Sequence, residues 1–245
     1  MRLGPPPRLW QRAQLIASCA LGLLFLAAVP SLAQTVRPVI FEYGEKARGR
    51  FELVNDTLEP LNVVLDARSF TVSETGEMSY RPLDPGIHLK LSTMSFRIPP
   101  QQSYLVFYEA WADKAPAWFV IYSSLTGYGF KTSEGMNIRL QLPHTVYLLP
   151  KQRVKKPDVT VRKAAYDAAG RKVVLRVENV SSDFGRCIGA EVSSRRNKVT
   201  HNGFPVFPER QREVEIPWES PEPPEKVTLR FANFTLEERV TTAGQ

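Results

Sequence analysis

Between residues 135 and 150 the chain reads GMNIRLQLPHTVYLLP, and apolar side chains take every second position: Met136, Ile138, Leu140 and Leu142. Asn137, Arg139, Gln141 and Pro143 fall on the opposite face. A period of two belongs to a β-strand and not to a helix. Pro143 has no N–H to give to a ladder, so it places this strand at a sheet edge or marks where it leaves the sheet. An edge that carries a row of large apolar side chains invites a partner. Two readings stay open on this pattern alone: the row fills the protein's own core, or it serves another chain.

The same alternation recurs along the sequence. Ala47–Val54 turns Phe51 and Leu53 to one side, and Leu61–Ala67 does the same with Leu61, Val63 and Leu65. Val36–Tyr43 is apolar and β-branched but is interrupted by Pro38. Thr75-Gly76 and Leu83–Gly86 have turn chemistry. Ala117–Ser123 is almost wholly apolar, as expected of a central strand buried on both faces. Ser124–Gly135 holds three glycines among small polar residues and reads as a flexible loop. Beyond residue 33 no stretch keeps a 3.6-residue period. Short strands separated by Pro- and Gly-rich turns predict an all-β protein built of sandwiches.

The first fourteen residues carry three arginines and no acid, and Leu15–Val29 is an uncharged run of fifteen. A membrane span needs roughly 20 apolar residues. Ser31 and Ala33 put small side chains at the −3 and −1 positions of a cleavage site. Residues 1–33 therefore read as a secretory signal peptide cleaved after Ala33. Removing them leaves 212 residues and takes away three arginines, so 29 basic residues face 25 acidic ones, a net charge of +4. That excess is too small and too dispersed to suggest nucleic acid. Cys187 is then the lone cysteine, expected to be buried, and both halves must be held by apolar packing.

Two domains of about 100 residues suit this length. The composition shifts at Leu149–Asp158, where prolines flank Lys151, Arg153, Lys155 and Lys156. We therefore expect two Ig-like β-sandwich domains, 34–150 and 158–245, joined by a short basic hinge at 151–157. The hinge cations read either as a solvated linker or as a cluster facing an inter-domain cleft, where they would bind a carboxylate.

No catalytic chemistry emerges. His88, His144 and His201 are isolated, with no metal-ligand spacing, nucleophile elbow, phosphate loop or dinucleotide glycine pattern. No enzyme, cofactor or metal is expected. Asn55, Asn179 and Asn233 each begin an Asn-x-Ser/Thr triplet, which we read as turn chemistry.

RFELVND, SFRIPPQQSYLVF, the exit TVYLLP and GFPVFPERQREVEIPW together resemble the periplasmic chaperones of chaperone–usher pili, the PapD-like family, over nearly the whole mature chain. The resemblance implies a periplasmic, non-enzymatic chaperone whose partners are fimbrial or pilin subunits and an outer-membrane usher. It implies that Met136, Ile138, Leu140 and Leu142 form a donor strand that completes a subunit's sheet, and that the loop before them orders on binding. It favours the partner reading of that row. The family holds the subunit's carboxylate with an Arg on the first strand and a Lys near the donor-strand exit. Here Arg37 is the first-strand candidate, but Thr145 occupies the Lys position. Either the anchor is rebuilt from Arg37 with Lys151, Arg153, Lys155 and Lys156, or the subunit is held differently, or the chain is a divergent relative. The exposed edge also suggests self-association. The rival expectation is a secreted tandem Ig-like structural or adhesive protein without a client.

Overall fold

A computed structural model describes residues 35–126 and 140–242. The signal-peptide reading, Met136, Ile138 and most of the expected loop lie outside the described residues. Among those described there is no α-helix, and only a single 3-10 turn at Lys156–Asp158 breaks the succession of strands.

The first ten strands are β1 (Thr35–Arg37), β2 (Ile40–Gly44), β3 (Lys46–Asn55), β4 (Leu61–Val72), β5 (Met78–Pro82), β6 (Ile87–Leu91), β7 (Ser95–Ile98), β8 (Gln102–Ala112), β9 (Ala117–Thr126) and β10 (Leu140–Leu149). They form two facing sheets. One has the order β1-β3-β8-β6; the other runs β2-β10-β9-β4-β5, with β7 also on β4. Pro38 divides what the sequence suggested as one strand: β1 stays in the first sheet, and β2 crosses to the second. Ser124–Thr126, expected in the loop, still belong to β9.

Alternation explains the packing. Phe51, Leu53, Leu61, Val63 and Leu65 are all buried in the core between the sheets, as their spacing predicts. β9 is buried on both faces from Phe119 to Ile121. Asn55 closes the β3–β4 turn: its side-chain amide donates to the Glu59 and Pro99 carbonyls, both at 2.9 Å, and its Oδ1 accepts from the Thr57 amide.

The second half contributes β11 (Val159–Asp167), β12 (Lys172–Asn179), β13 (Gly185–Ser193), β14 (Lys198–Val206), β15 (Arg210–Pro217), β16 (Lys226–Arg230), β17 (Thr235–Arg239) and β18 (Thr241–Thr242). Its sheets are β15-β12-β11-β18 and β14-β13-β16-β17. Trp218 and Cys187 are fully buried in the core between them. Asn179 repeats the Asn55 device, donating to the Asp183 carbonyl at 2.7 Å and accepting from the Ser181 amide. Both asparagines are buried, so the triplets they begin serve turns. The protein is therefore all-β, two Ig-like sandwiches joined by a short basic connection.

A third apolar cluster joins the sandwiches. Phe70, Val120, Tyr147 and Leu149 from the first meet Phe184 and Phe207 from the second. At the far end, the tip of the β4–β5 hairpin accepts a backbone hydrogen bond from Glu213 to the Glu74 carbonyl at 2.7 Å.

Candidate functional site

β10 is placed between β9 and β2, but not along its whole length. It pairs antiparallel with β9 from Leu140 to Leu148. On its other side, β2 pairs with it in parallel only from Thr145 to Leu149. The ladder begins where the Thr145 amide donates to the Val39 carbonyl at 2.7 Å. One step upstream, the same parallel pattern would need an N–H from residue 143 directed at the Arg37 carbonyl. Residue 143 is proline. The ladder stops here, where residue 143 has no donor to give and β1 is already paired with β3, and among the described residues Leu140–Pro143 pairs with no strand on that side.

Strand geometry assigns the groups on this open stretch. Successive residues direct their backbone polar groups to opposite sides, and Thr145 points at β2. Hence the N–H and C=O of Gln141 and the C=O of Pro143 face the open edge, whereas Leu142 and His144 bond to β9. Pro143 costs β9 nothing, because its missing donor would have pointed outward. The strand does not leave the sheet at this proline, one of the two outcomes its position allowed; it continues to Leu149.

The side chains of β10 have two destinations. Leu140 and Leu142 are half-buried at the margin of the first core, and Val146 and Leu148 are fully inside it. On the other face Tyr147 and Leu149 enter the inter-domain cluster. The apolar row is thus partly used by the protein itself at Leu140 and Leu142.

His144 pins the start of the ladder. It is fully buried and stacks on Phe51, with ring centroids 4.7 Å apart. Its Nδ1 donates to the Pro38 carbonyl at 2.6 Å. That fixes the tautomer: Nε2 must accept, and the Tyr108 hydroxyl donates to it at 2.9 Å. The Tyr43 hydroxyl completes the chain, donating to Tyr108 at 3.0 Å. Burial lowers the His144 pKa and, with the Tyr43 contact, raises that of Tyr108. Gly49 makes room for this chain, since a Cβ there would sit 2.6 Å from Tyr108 and closer still to the Tyr43 hydroxyl.

The candidate carboxylate residues are not brought together. Arg37 is exposed on β1 and borders a hollow with Arg48 and Arg50. Arg153 lies 3.7 Å from Glu42 and lines the cleft between the sandwiches. Lys151, Lys155 and Lys156 are exposed, and the Lys155 amide donates to Asp158 at 2.8 Å. Thr145, at the expected Lys position, is buried. Sequence reasoning missed Arg186 on β13, whose Nε pairs with Glu42. Its guanidinium lies 5.0 Å from the Tyr147 ring centroid, and its Nη2 is buried without a partner. Nothing in the sequence marks Arg186, because it faces Glu42 across 144 residues.

No family model and no curated protein sequence matches the chain. Solved structures do. A structure of the Salmonella enterica SafA pilin in complex with the SafB chaperone matches at TM-score 0.53 and 12% identity, covering 86% of this chain and 98% of that one. The YadV chaperone matches at TM-score 0.52 and 9% identity, over 84% and 98%. The E. coli chaperone DraB matches at TM-score 0.50 and 13% identity, over 86% and 97%. The two-sandwich architecture of this chain is the fold of the chaperone–usher pilus chaperones.

Proposed function

We propose that this protein is a non-enzymatic chaperone that binds and caps pilus subunits, its β10 edge supplying a strand to the subunit's incomplete sheet. The observation that carries the reading is the open edge at Leu140–Pro143, bounded by Pro143, within a fold shared with pilus chaperones. A matching structure holds the SafB chaperone together with a pilin, which supports a pilin-type client here. Main-chain hydrogen bonds at Gln141 and Pro143 would give affinity, and the alternating row Met136, Ile138, Leu140 and Leu142 would fill the client's groove. Leu140 and Leu142 would then shift from the margin of their own core to the client. In this reading residues 1–33 direct the chain to the periplasm, 34–150 form the subunit-binding domain, 151–157 the hinge and 158–245 the second domain. Delivery ends at an outer-membrane usher.

The subunit's terminal carboxylate would meet guanidinium groups, either Arg37 or Arg153 in the cleft. Arg186, with a buried donor unused, joins Arg153 as the better-placed pair, and Glu42 is the carboxylate any ligand there would displace.

The test is co-expression with small candidate subunits, followed by hydrogen exchange on the purified complex. The Gln141 amide is expected to exchange fast in the free protein and slowly in the complex. Ile138→Asp with Leu140→Asp is expected to abolish co-purification while the circular dichroism spectrum is kept. A Gln141 amide already protected in the free monomer would mean the edge is occupied and would end the donor-strand reading.

A further inference from the structure

The sheet β1-β3-β8-β6 has one face on the first core and the other in solvent. On the outer face β8 presents Leu105 and Phe107, which are 43% and 52% exposed. They lie two residues apart on one strand, hence side by side. Around them the register sets cations: Arg50 opposite Phe107, Arg48 opposite Glu109, Lys90 beside Glu109 on β6, and Arg37 beside Glu52 on β1. Among the described residues, Arg48 pairs with Glu109 at 3.4 Å, on side chains 86% and 53% exposed. Arg37, Arg50 and Lys90 make no ion pair there, and Lys90 leans over the Trp111 ring at 5.7 Å. Two hollows of about 570 and 560 Å³ flank Arg48 and Arg50, one floored by Phe107 and Leu91, the other by Leu105, Phe41 and Tyr43.

Single exposed apolar residues are ordinary on any surface. A contiguous pair, framed by unpaired guanidiniums and opening into two adjoining hollows, is a different arrangement. We propose that this face docks an extended acidic segment of a partner polypeptide, at a site separate from the β10 edge. The segment's carboxylates would take charge-assisted hydrogen bonds from Arg50 and Lys90. Its apolar side chains would cover Phe107 and Leu105, and the water they exclude would strengthen those bonds. Glu52 and Glu109 interrupt the cationic row at fixed positions, so alternating charge and apolar side chains fit better than a uniform polyanion.

The experiment uses the mature protein and a fluorescein-labelled dodecapeptide of alternating Glu and Leu, with the Gln/Leu peptide and a twelve-nucleotide oligothymidine as comparisons. Anisotropy at 20 mM NaCl is expected to show the Glu peptide binding at least about tenfold tighter than either comparison, and weakening about tenfold at 300 mM. Arg50→Glu and Phe107→Ser are each expected to lose about tenfold. Equal binding by these variants, or oligothymidine binding as tightly as the Glu peptide, overturns the proposal. Subunit co-purification is read in the same variants and is expected to persist. Its loss in Arg50→Glu would put this face inside the subunit contact and end the idea of a separate partner, whatever becomes of the donor-strand reading.

Discussion

His144 concentrates more consequences than any other single residue in the first sandwich. Its imidazole is buried and neutral, and burial holds it below the ordinary value of about 6.5. In the unfolded chain the same group takes up a proton as pH falls through that value, so below it the unfolded state binds more protons. This contribution is therefore complete above about pH 6.5 and is lost on acidification, by up to about 1.4 kcal/mol per pH unit until the folded imidazole is itself protonated. His144→Phe is expected to remove that dependence. It also leaves the Pro38 carbonyl without the imidazole donor, at a cost of about 1–3 kcal/mol, while the Tyr108 hydroxyl keeps its bond to Tyr43. Urea midpoints at pH 8 and 5.5 for both proteins decide the matter; equal losses in both would place the acid sensitivity elsewhere. Cys187 gives a second residue-scale expectation. Burial pushes its thiol up to about 11, and its Sγ sits 3.4 Å from the Gly189 carbonyl. A thiolate-selective reagent at pH 8 should label it only after denaturant is added, and prompt labelling of the folded protein would mean that β13 opens.

At the scale of the strand, β10 is one element with two environments, and the change falls at Pro143. Replacing it by Ala restores a donor that points at the open side. β1 is already paired with β3, Arg37 with Glu52, so it is not free to extend the ladder and the new N–H should find no acceptor. Pro143→Ala is thus expected to shift stability by less than about 0.5 kcal/mol. The amides of this variant should alternate in hydrogen exchange: slow at Leu142 and His144, fast at Gln141 and at the newly introduced alanine. Uniform protection would mean that β2 had extended along the strand. Much of this was legible in the sequence. The period of two at Phe51, Leu53, Leu61, Val63 and Leu65 gave their burial, because a strand in a sandwich has only two faces to choose from. Pro143 announced an edge because a missing donor is a property of the residue itself. What the sequence concealed was relational. That Pro38 splits a strand between two sheets depends on where β3 and β10 lie. That His144 joins Tyr108 and Tyr43 depends on three strands meeting beside Gly49. That Leu140 and Leu142 touch their own core follows from the depth of the sandwich, which alternation does not encode.

For the whole molecule the question is what sets the angle between the sandwiches. Besides the hydrogen bond from Glu213 to the Glu74 carbonyl at the hairpin tip, two contacts bear on that role. The apolar cluster of Phe70, Val120, Tyr147, Leu149, Phe184 and Phe207 is the larger: full burial of one such side chain is worth about 1.5–3 kcal/mol. Apolar packing is non-directional, however, and aromatic rings tolerate some sliding. The contact among Glu42, Arg153 and Arg186 is smaller but directional, drawing on β2, the hinge and β13. Packing therefore holds the sandwiches together, and the charged contact orients them. Glu42→Ala leaves Arg186, already with one unpartnered nitrogen, without its carboxylate, at a cost of about 1–3 kcal/mol. Phe184→Ala removes a buried ring, at about 3–5 kcal/mol. The two variants should differ in kind as well as in size. Glu42→Ala is expected to keep a single thermal transition while small-angle scattering reports a broader range of inter-domain angles. Phe184→Ala is expected to separate the transition into two as the sandwiches uncouple. If Glu42→Ala scatters like the parent protein, the packed rings and the hairpin-tip hydrogen bond fix the angle, and Glu42 is left with the single task of neutralising two arginines in the cleft.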